Sequence, residues 1–530
     1  MKINILDCTL RDGGYINDWN FGHRAIKKII HKLEETGIEI IECGFLRDKP
    51  YNPNRSVFSS LDQISALMPY KKQDTLYVGM IALGDISGDK IPPCDGSSID
   101  GIRLTFHKGE WEDADCLAGG LMEKGYKVFF QPVGITSYND TEVLELISKV
   151  NTLHPYAFYL VDTLGMMYQN ELLRLFYLAD NNLHSDIAIG YHPHNNLQLA
   201  FSNAQALMRI HSKRHIILDT SVYGMGRGAG NLCTELVAHY INVNAAKKYD
   251  VLPLMEIVDE YLTVIYENTP WGYSTPYYLA AVGGIHPDYA SYLLNKQTIS
   301  VRAISTILEL IPAHQRDMFD RGLIEGIYIS YQSNEINDSE SSTMLQQFIG
   351  DRKVLILAPG NSILSHADEV QRFILDNNPY IISINFLPQH IPVGAVFISN
   401  TKRFKSISES VAAIDTPVFV TSNIHLDVLR DNVYPVNYSS LIGHGNESDN
   451  AGAMLLRYVN KNGINRVYVA GYDGFSLTSD NYYQSDLNNS VERAAINKKN
   501  EAIGQQLSLL RESMELIFVT PSIYAREVSK

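Results

Sequence analysis

Leu6-Asp7-Cys8-Thr9-Leu10-Arg11-Asp12-Gly13-Gly14-Tyr15 carries the chain from an apolar run, Ile3–Leu6, into a cation, an anion and two adjacent glycines. A segment of this kind delivers a guanidinium and a carboxylate to the mouth of a sheet, where residues without a Cβ let other groups come close. Alone it is a strand followed by a polar turn. Its meaning depends on what the rest of the chain brings to the same place.

Outward from it, a rhythm of apolar run, polar turn and amphipathic stretch repeats through the first 230 residues. Apolar runs fall at Ile3–Leu6, Ile38–Cys43, Leu76–Leu83, Gly101–Phe106, Lys127–Pro132, Ala157–Val161, Ile187–Tyr191 and His215–Leu218. Leu and Ile at helical spacing predict helices between them, such as His23–Thr36 and Glu142–Leu153. Strands alternating with helices imply a parallel sheet. Eight such units in this length fit a closed (β/α)8 TIM barrel better than an open sheet of six or seven strands.

The loop Gly224-Met225-Gly226-Arg227-Gly228-Ala229-Gly230-Asn231 is too rich in glycine to be helical, and a helix is predicted from about Thr234. Residues 251–335 read as a helical extension packed on the barrel, punctuated by Gly283-Gly284-Ile285-His286-Pro287. The polar stretch from Ser333 to Thr343 places a linker at 336–350. A second strand–helix pattern opens at Lys353 and continues with strands at Tyr380–Ile384, Ala395–Ile398, Val418–Thr421 and Arg466–Ala470. The predicted fold class is therefore α/β. A TIM barrel spans 1–250, the helical extension 251–335 and the linker 336–350, and a Rossmann-like α/β domain occupies 351–530.

A chain of 530 residues exceeds what one core usually holds, about 250–300 residues. With 45% apolar and 19% charged residues it is an ordinary globular sequence. A net charge of -15 argues against nucleic-acid and anionic-membrane partners, because both surfaces are negative. The five cysteines show no CxxC spacing and read as free thiols in a reducing compartment. The start lacks the features of a secretory signal and no apolar run reaches about 18 residues, so a cytoplasmic location is expected.

If the barrel is right, the active face lies at the C-terminal ends of its strands. Asp12 follows the first strand, His192 and His194 end the seventh in Tyr191-His192-Pro193-His194-Asn195-Asn196, and Asn231 lies after the eighth. Residues i and i+2 of an extended segment point the same way, so both imidazoles can share one cation. Closure sets strand eight beside strand one and gathers these groups on one arc of the rim. Two imidazoles, a carboxylate and an amide oxygen leave positions open on a divalent metal, where a 2-oxo acid could bind through its carboxylate and ketone. Arg11 suits the oxyanion that develops when a carbon–carbon bond breaks. The same donor set also allows zinc, or the two-histidine-one-carboxylate site of an iron oxygenase.

These residues resemble the metal-dependent lyases and synthases built on a TIM barrel with a D-x-T-L-R-D-G opening. That family includes 4-hydroxy-2-oxovalerate aldolase, hydroxymethylglutaryl-CoA lyase and isopropylmalate synthase. Asp7 to Gly13 match the opening, His192-Pro193-His194-Asn195 the H-x-H-N segment, and Gly228-Ala229-Gly230-Asn231 the late glycine loop, over roughly residues 1–270. The resemblance implies Asp12, His192 and His194 as metal ligands, with Asn231 a fourth, and Arg11 as the enolate stabiliser. It also implies that Thr163, in Val161-Asp162-Thr163-Leu164-Gly165, binds the substrate carboxylate. The expected ion is Mn2+ or Mg2+.

Two departures matter. The acyl-CoA condensing synthases follow the opening with Gly-Glu-Gln, but Gly14-Tyr15 stands there in this chain. The hydroxy-oxoacid aldolases place a catalytic histidine where this chain has Tyr15. Tyr15 then becomes the candidate proton acceptor, with His23 and His107 as alternatives, while Glu42 either faces the site or pairs with Arg11. In the second half, Ala358-Pro359-Gly360-Asn361-Ser362 after a strand is either a tight turn or a phosphate cradle. This half weakly resembles nucleotide-sugar-using transferases.

The expected activity is a divalent-metal aldolase that cleaves or forms a 4-hydroxy-2-oxo acid through a pyruvate enolate. Its partners would be small 2-oxo acids and aldehydes, with a homo-oligomer left open. The alternatives are an acyl-CoA condensing or cleaving relative, and a bifunctional protein whose second half is a nucleotide-sugar-dependent transferase.

Overall fold

In the computed structural model, eight parallel strands alternate with helices and close on themselves. The strands are β1 (Lys2–Asp7), β2 (Ile40–Leu46), β3 (Leu76–Ala82), β4 (Gly101–Phe106), β5 (Lys127–Pro132), β6 (Ala157–Asp162), β7 (Ala188–Pro193) and β8 (His215–Thr220). Each pairs with the next, and β1 pairs with both β8 (Lys2 opposite His215, Asp7 opposite Thr220) and β2. A two-residue strand, Val57–Phe58, adds to β2. The structure describes residues 2–68, 70–245, 248–296, 298–412, 415–424, 431–443, 449–476, 481–482 and 493–525.

The strands are apolar runs because both of their faces are buried. Outward residues such as Ile5, Ile102, Phe158 and Leu218 pack on the helices, while Leu6, Val78, Phe129 and Ile217 fill the barrel interior. The predicted helix His23–Thr36 forms with those bounds, turning Ile26, Ile29, Ile30 and Leu33 inward and ending at Gly37, φ 87°. At the glycine pair of the opening segment the need is steric: a Cβ on Gly14 would lie 2.0 Å from the Trp19 ring.

The chain divides into two compact units, and the helical stretch 251–335 is shared between them. Residues 1–291 and 312–320 form the first unit, and 292–311 and 321–530 the second. The extension is therefore not one body packed on the barrel. The expected linker at 336–350 also differs from the structure. Residues Ser339–Ile349 are a helix whose Leu345 and Ile349 enter the second unit's core, and Ser341 donates to the Pro435 carbonyl at 2.6 Å. The polar run supplies that helix's N-terminus and exposed side, and its apolar residues arrive only after Thr343.

The second unit holds seven parallel strands: β9 (Val354–Leu357), β10 (Tyr380–Ile384), β11 (Ala395–Ile398), β12 (Val418–Thr421), β13 (Val433–Val436), β14 (Arg466–Ala470) and β15 (Glu515–Phe518). Their order across the sheet is β13-β12-β11-β10-β9-β14-β15. The edge strands β13 and β15 were not anticipated. Both are short and half-exposed, so neither shows the unbroken apolar run of a central strand. The five cysteines are all free, and among the described residues no helix is long and apolar enough to cross a membrane.

Candidate active site

The residues of the opening segment divide into those that brace the barrel and those that face its mouth. The Asp7 carboxylate accepts from Thr9 N–H at 3.0 Å and from the Thr234 hydroxyl at 2.6 Å, and the Thr9 hydroxyl accepts from Val222 N–H at 2.8 Å. These bonds staple the end of β1 to the turn after β8. Arg11 and Asp12, one turn further on, line a cavity of about 350 Å³ at the C-terminal ends of the strands.

Asp12, His192 and His194 offer one ligand atom each, all within 4.8 Å of one another. The Nε2 atoms of His192 and His194 lie 3.8 and 3.5 Å from Asp12 Oδ2. Each ring is held from behind: His192 Nδ1 meets Asp219 Oδ2 at 2.8 Å, and His194 Nδ1 the Asp162 carbonyl at 2.9 Å. A carbonyl can only accept, so His194 donates from Nδ1 and its Nε2 faces Asp12. Burial pushes His192 down to about 4, so that ring is neutral near pH 7. Burial would raise the Asp12 carboxyl, but Arg11, His194 and His192 hold it well below the ordinary carboxylate range. Asn231 donates Nδ2 to Asp12 Oδ2 and leaves Oδ1 buried without a partner. Two imidazoles, an ionised carboxylate and an unsatisfied amide oxygen fit a divalent cation.

Behind these residues runs a closed ring of buried charge. Arg11 Nη1 donates to Asp12 Oδ1 at 2.6 Å and its Nε to Glu42 Oε2 at 2.9 Å. Arg103 Nη1 donates to the same Glu42 oxygen at 2.6 Å and its Nη2 to Asp219, which in turn holds His192. With its amide turned so that the oxygen faces Arg103, Gln131 accepts from Nε and Nη2 at 2.6 Å. Two guanidiniums against three carboxylates leave one excess negative charge, which a divalent ion converts to a positive one. A site so charged favours an anionic substrate. Arg11 lines the cavity, and its Nη2 is buried and has no partner, a donor left unspent at the cavity's wall.

Asp219 is thus expected to tune the site through His192 without itself holding the ion. Asp219→Asn should weaken metal affinity about 10–100-fold by loosening the tautomer and orientation of His192. Metal titration monitored by calorimetry checks this, and unchanged affinity would show that His192 needs no such support.

Thr163 lines the cavity and its hydroxyl oxygen accepts from Gly134 N–H at 2.9 Å, leaving its own proton to donate. Tyr15 lines it too, with the Arg227 guanidinium 3.8 Å above its ring and Trp19 edge-on at 4.9 Å. His107 reaches the wall, whereas His23 is exposed at the start of its helix and lies outside the lining. Glu42 pairs with Arg11 and does not line the cavity. Trp271 donates to the Tyr223 carbonyl at 3.0 Å and packs on Tyr266, so this aromatic group is core and not a pocket wall.

Several residues of the site escaped the sequence reading. Arg103 and Asp219 do not line the cavity but sit buried behind its ligands on apolar strands, and a charge at such a position is itself the signal. Arg227 was within the glycine loop and His286 within the Gly283–Pro287 punctuation. The structure joins them, Arg227 Nη1 reaching His286 Nε2 at 3.1 Å, and brings Asp288 and Asp317 to the same wall. A second metal-compatible group, His154, His184 and Asp186, is exposed and lies at the opposite end of the barrel, before β6 and β7.

Residues 117–260 match the model of the HMGL-like family. This stretch, which starts within the barrel, is thus similar to HMGL-like domains. Over 273 residues the chain is 26% identical to 4-hydroxy-2-oxovalerate aldolase 2 of Salinispora arenicola (strain CNS-205), covering 49% of this chain and 75% of that one. Over 246 residues it is 24% identical to oxaloacetate decarboxylase of Mycobacterium tuberculosis (strain ATCC 25618 / H37Rv), covering 44% and 67%. Among solved structures, the HMG-CoA lyase of Brucella melitensis aligns at TM-score 0.39 and 14% identity, over 48% of this chain and 96% of that one. Within the matched span lie β7 and His192 and His194 at its end, whereas Asp12 precedes it.

Proposed function

We propose that the barrel is a divalent-metal-dependent aldolase that cleaves or forms a 4-hydroxy-2-oxo acid through a pyruvate enolate. The observation that carries this reading is that Arg11, with its Nη2 unpartnered, lines the same cavity as Asp12, His192 and His194. A divalent ion held by Asp12, His192 and His194, with Asn231 beside them, would supply Lewis acidity to the two oxygens of a 2-oxo acid. Mn2+ or Mg2+ suits a site that also binds carboxylate and ketone oxygens.

The chain's own groups do the rest. The Arg11 guanidinium, fixed at two of its nitrogens by Glu42 and Asp12, donates its third to the enolate oxygen as charge builds there. The Thr163 hydroxyl donates to the substrate carboxylate. Tyr15 relays the proton of the 4-hydroxyl as the carbon–carbon bond breaks, taking it at the phenol oxygen while its own hydroxyl proton passes to water, and Arg227 holds its ring in place.

The test is pyruvate release by the full chain from a series of 4-hydroxy-2-oxo acids, with and without a chelator. Release should disappear on chelation and return with Mn2+ or Mg2+. No release from any of them at saturating metal would overturn the proposal. A second reading, decarboxylation of a 2-oxo diacid, draws on the relative from Mycobacterium tuberculosis and on the same Arg11 donor. It needs no base for a hydroxyl, so Tyr15 separates the two. Tyr15→Phe is expected to slow carbon–carbon cleavage at least about tenfold more than deuterium exchange at the pyruvate methyl. Equal losses in the two rates would make Tyr15 only a platform for Arg227.

A further inference from the structure

The second unit has a cavity of its own where its strand order reverses. From β9 the chain lays strands down in one direction as far as β13, then returns to place β14 on the other side of β9. In open parallel sheets the loops that leave two such strands diverge, and a ligand crevice opens at the strands' carboxyl ends. Here a cavity of about 190 Å³ is bounded by Ala358–Gly360 after β9, Asn385 after β10, Asn400 after β11 and Gly471–Phe475 after β14.

One anion position in this crevice is taken by the chain itself. Ser362 N–H donates to Asp473 Oδ2 at 2.7 Å and the Ser362 hydroxyl to Oδ1, while a Cβ on Gly360 would lie 2.3 Å from the Gly471 carbonyl. The turn after β9, the phosphate cradle of many dinucleotide folds, therefore holds a carboxylate and would repel a phosphate. It is a tight turn.

The unfilled positions lie over β10 and β11. Asn385, at φ 59°, accepts from Ser399 N–H at 3.0 Å. Asn400, only 8% exposed, accepts from Lys402 and Arg403 N–H at 2.9 and 3.2 Å and so caps the helix Thr401–Ala412. Each amide commits its oxygen to backbone and keeps Nδ2 for the cavity it lines. Neither Nδ2 donates to any protein atom among the described residues. Two such donors call for acceptor oxygens on a ligand. The helix N-terminus and Arg403 in its first turn add positive potential. Around the remaining wall, Tyr472 packs on Tyr524 at 5.6 Å, and Tyr482 lies 5.7 Å from Arg403. In a chain of net charge -15 this wall carries three cations (Lys296, Arg403, Lys499) against two carboxylates (Asp449, Asp473).

We propose that this crevice binds a mononucleotide, its phosphate at Asn400 and Arg403 and its base against the tyrosine rings. Asn400→Asp is the discriminating variant, because it keeps the capping oxygen and the side chain's size while replacing the donor by a carboxylate oxygen. AMP, CMP, GMP, UMP and inorganic phosphate are titrated into the full chain by calorimetry. At least one nucleotide should bind tenfold or more tightly than phosphate, and Asn400→Asp should weaken it tenfold or more with an unchanged thermal midpoint. If that variant fails to fold, Asn385→Asp serves, since aspartate tolerates a positive φ. No nucleotide binding, equal binding of phosphate, or undiminished binding by the folded variant would overturn the assignment.

Discussion

His192→Ala is expected to strip the barrel of metal and lower turnover by at least about a thousandfold, with the fold retained. His192 Nε2 is one of the three ligand atoms that Asp12, His192 and His194 bring together, so its loss leaves two beside the Asn231 amide. The change also frees Asp219, but that carboxylate still pairs with Arg103 and accepts from the Tyr159 hydroxyl at 3.0 Å, so no charge is orphaned in the interior. Metal content by mass spectrometry, a pyruvate-release assay and a thermal midpoint together decide the matter. A folded variant with stoichiometric metal and near-normal turnover would refute the assignment of His192.

Arg11→Lys should separate binding of the metal from stabilisation of the transition state. Lysine keeps the positive charge beside Asp12 and Glu42, so metal binding and folding should survive. It cannot present a planar set of donors that braces both carboxylates and reaches the cavity with a third nitrogen. A loss on the order of 10²–10³ in kcat is expected, with a smaller change in KM, because the missing donor acts chiefly on the developing oxyanion. Unfolding would instead mark Arg11 as a structural ion-pair partner. The buried ring makes this outcome informative, since breaking a buried pair outright costs about 3–5 kcal/mol.

The barrel strands were legible because a parallel strand buried on both faces must be an apolar run with polar ends. Gly101–Phe106 and Lys127–Pro132 therefore coincide with their strands. Asp12, His192 and His194 were legible as a group once closure was assumed, because a period of two and the meeting of β8 with β1 bring them to one arc. The partners of Arg103 were not. Glu42 and Asp219 lie far from it in the chain, and only the closed barrel makes them neighbours. His286, Asp288 and Asp317 come from outside the barrel, where no period points at its mouth. The helix Ser339–Ile349 was hidden by its polar first half, since Leu345 and Ile349 are its main core contacts.

The ring from Asp12 through Arg11, Glu42, Arg103 and Asp219 to His192 also constrains how this protein can change. Replacing either guanidinium by a neutral residue strands carboxylates in the barrel interior, so viable alternatives at Arg11 or Arg103 must arrive with a matching loss of charge. The cavity's outer wall is less constrained: Asp317 is exposed and Arg227 and Asp288 are partly exposed, with only His286 buried among them. In a saturation-mutagenesis library, tolerated diversity should therefore gather at that outer wall and be nearly absent from the ring. New substrates would then be reached by remodelling the rim around an inherited charged centre.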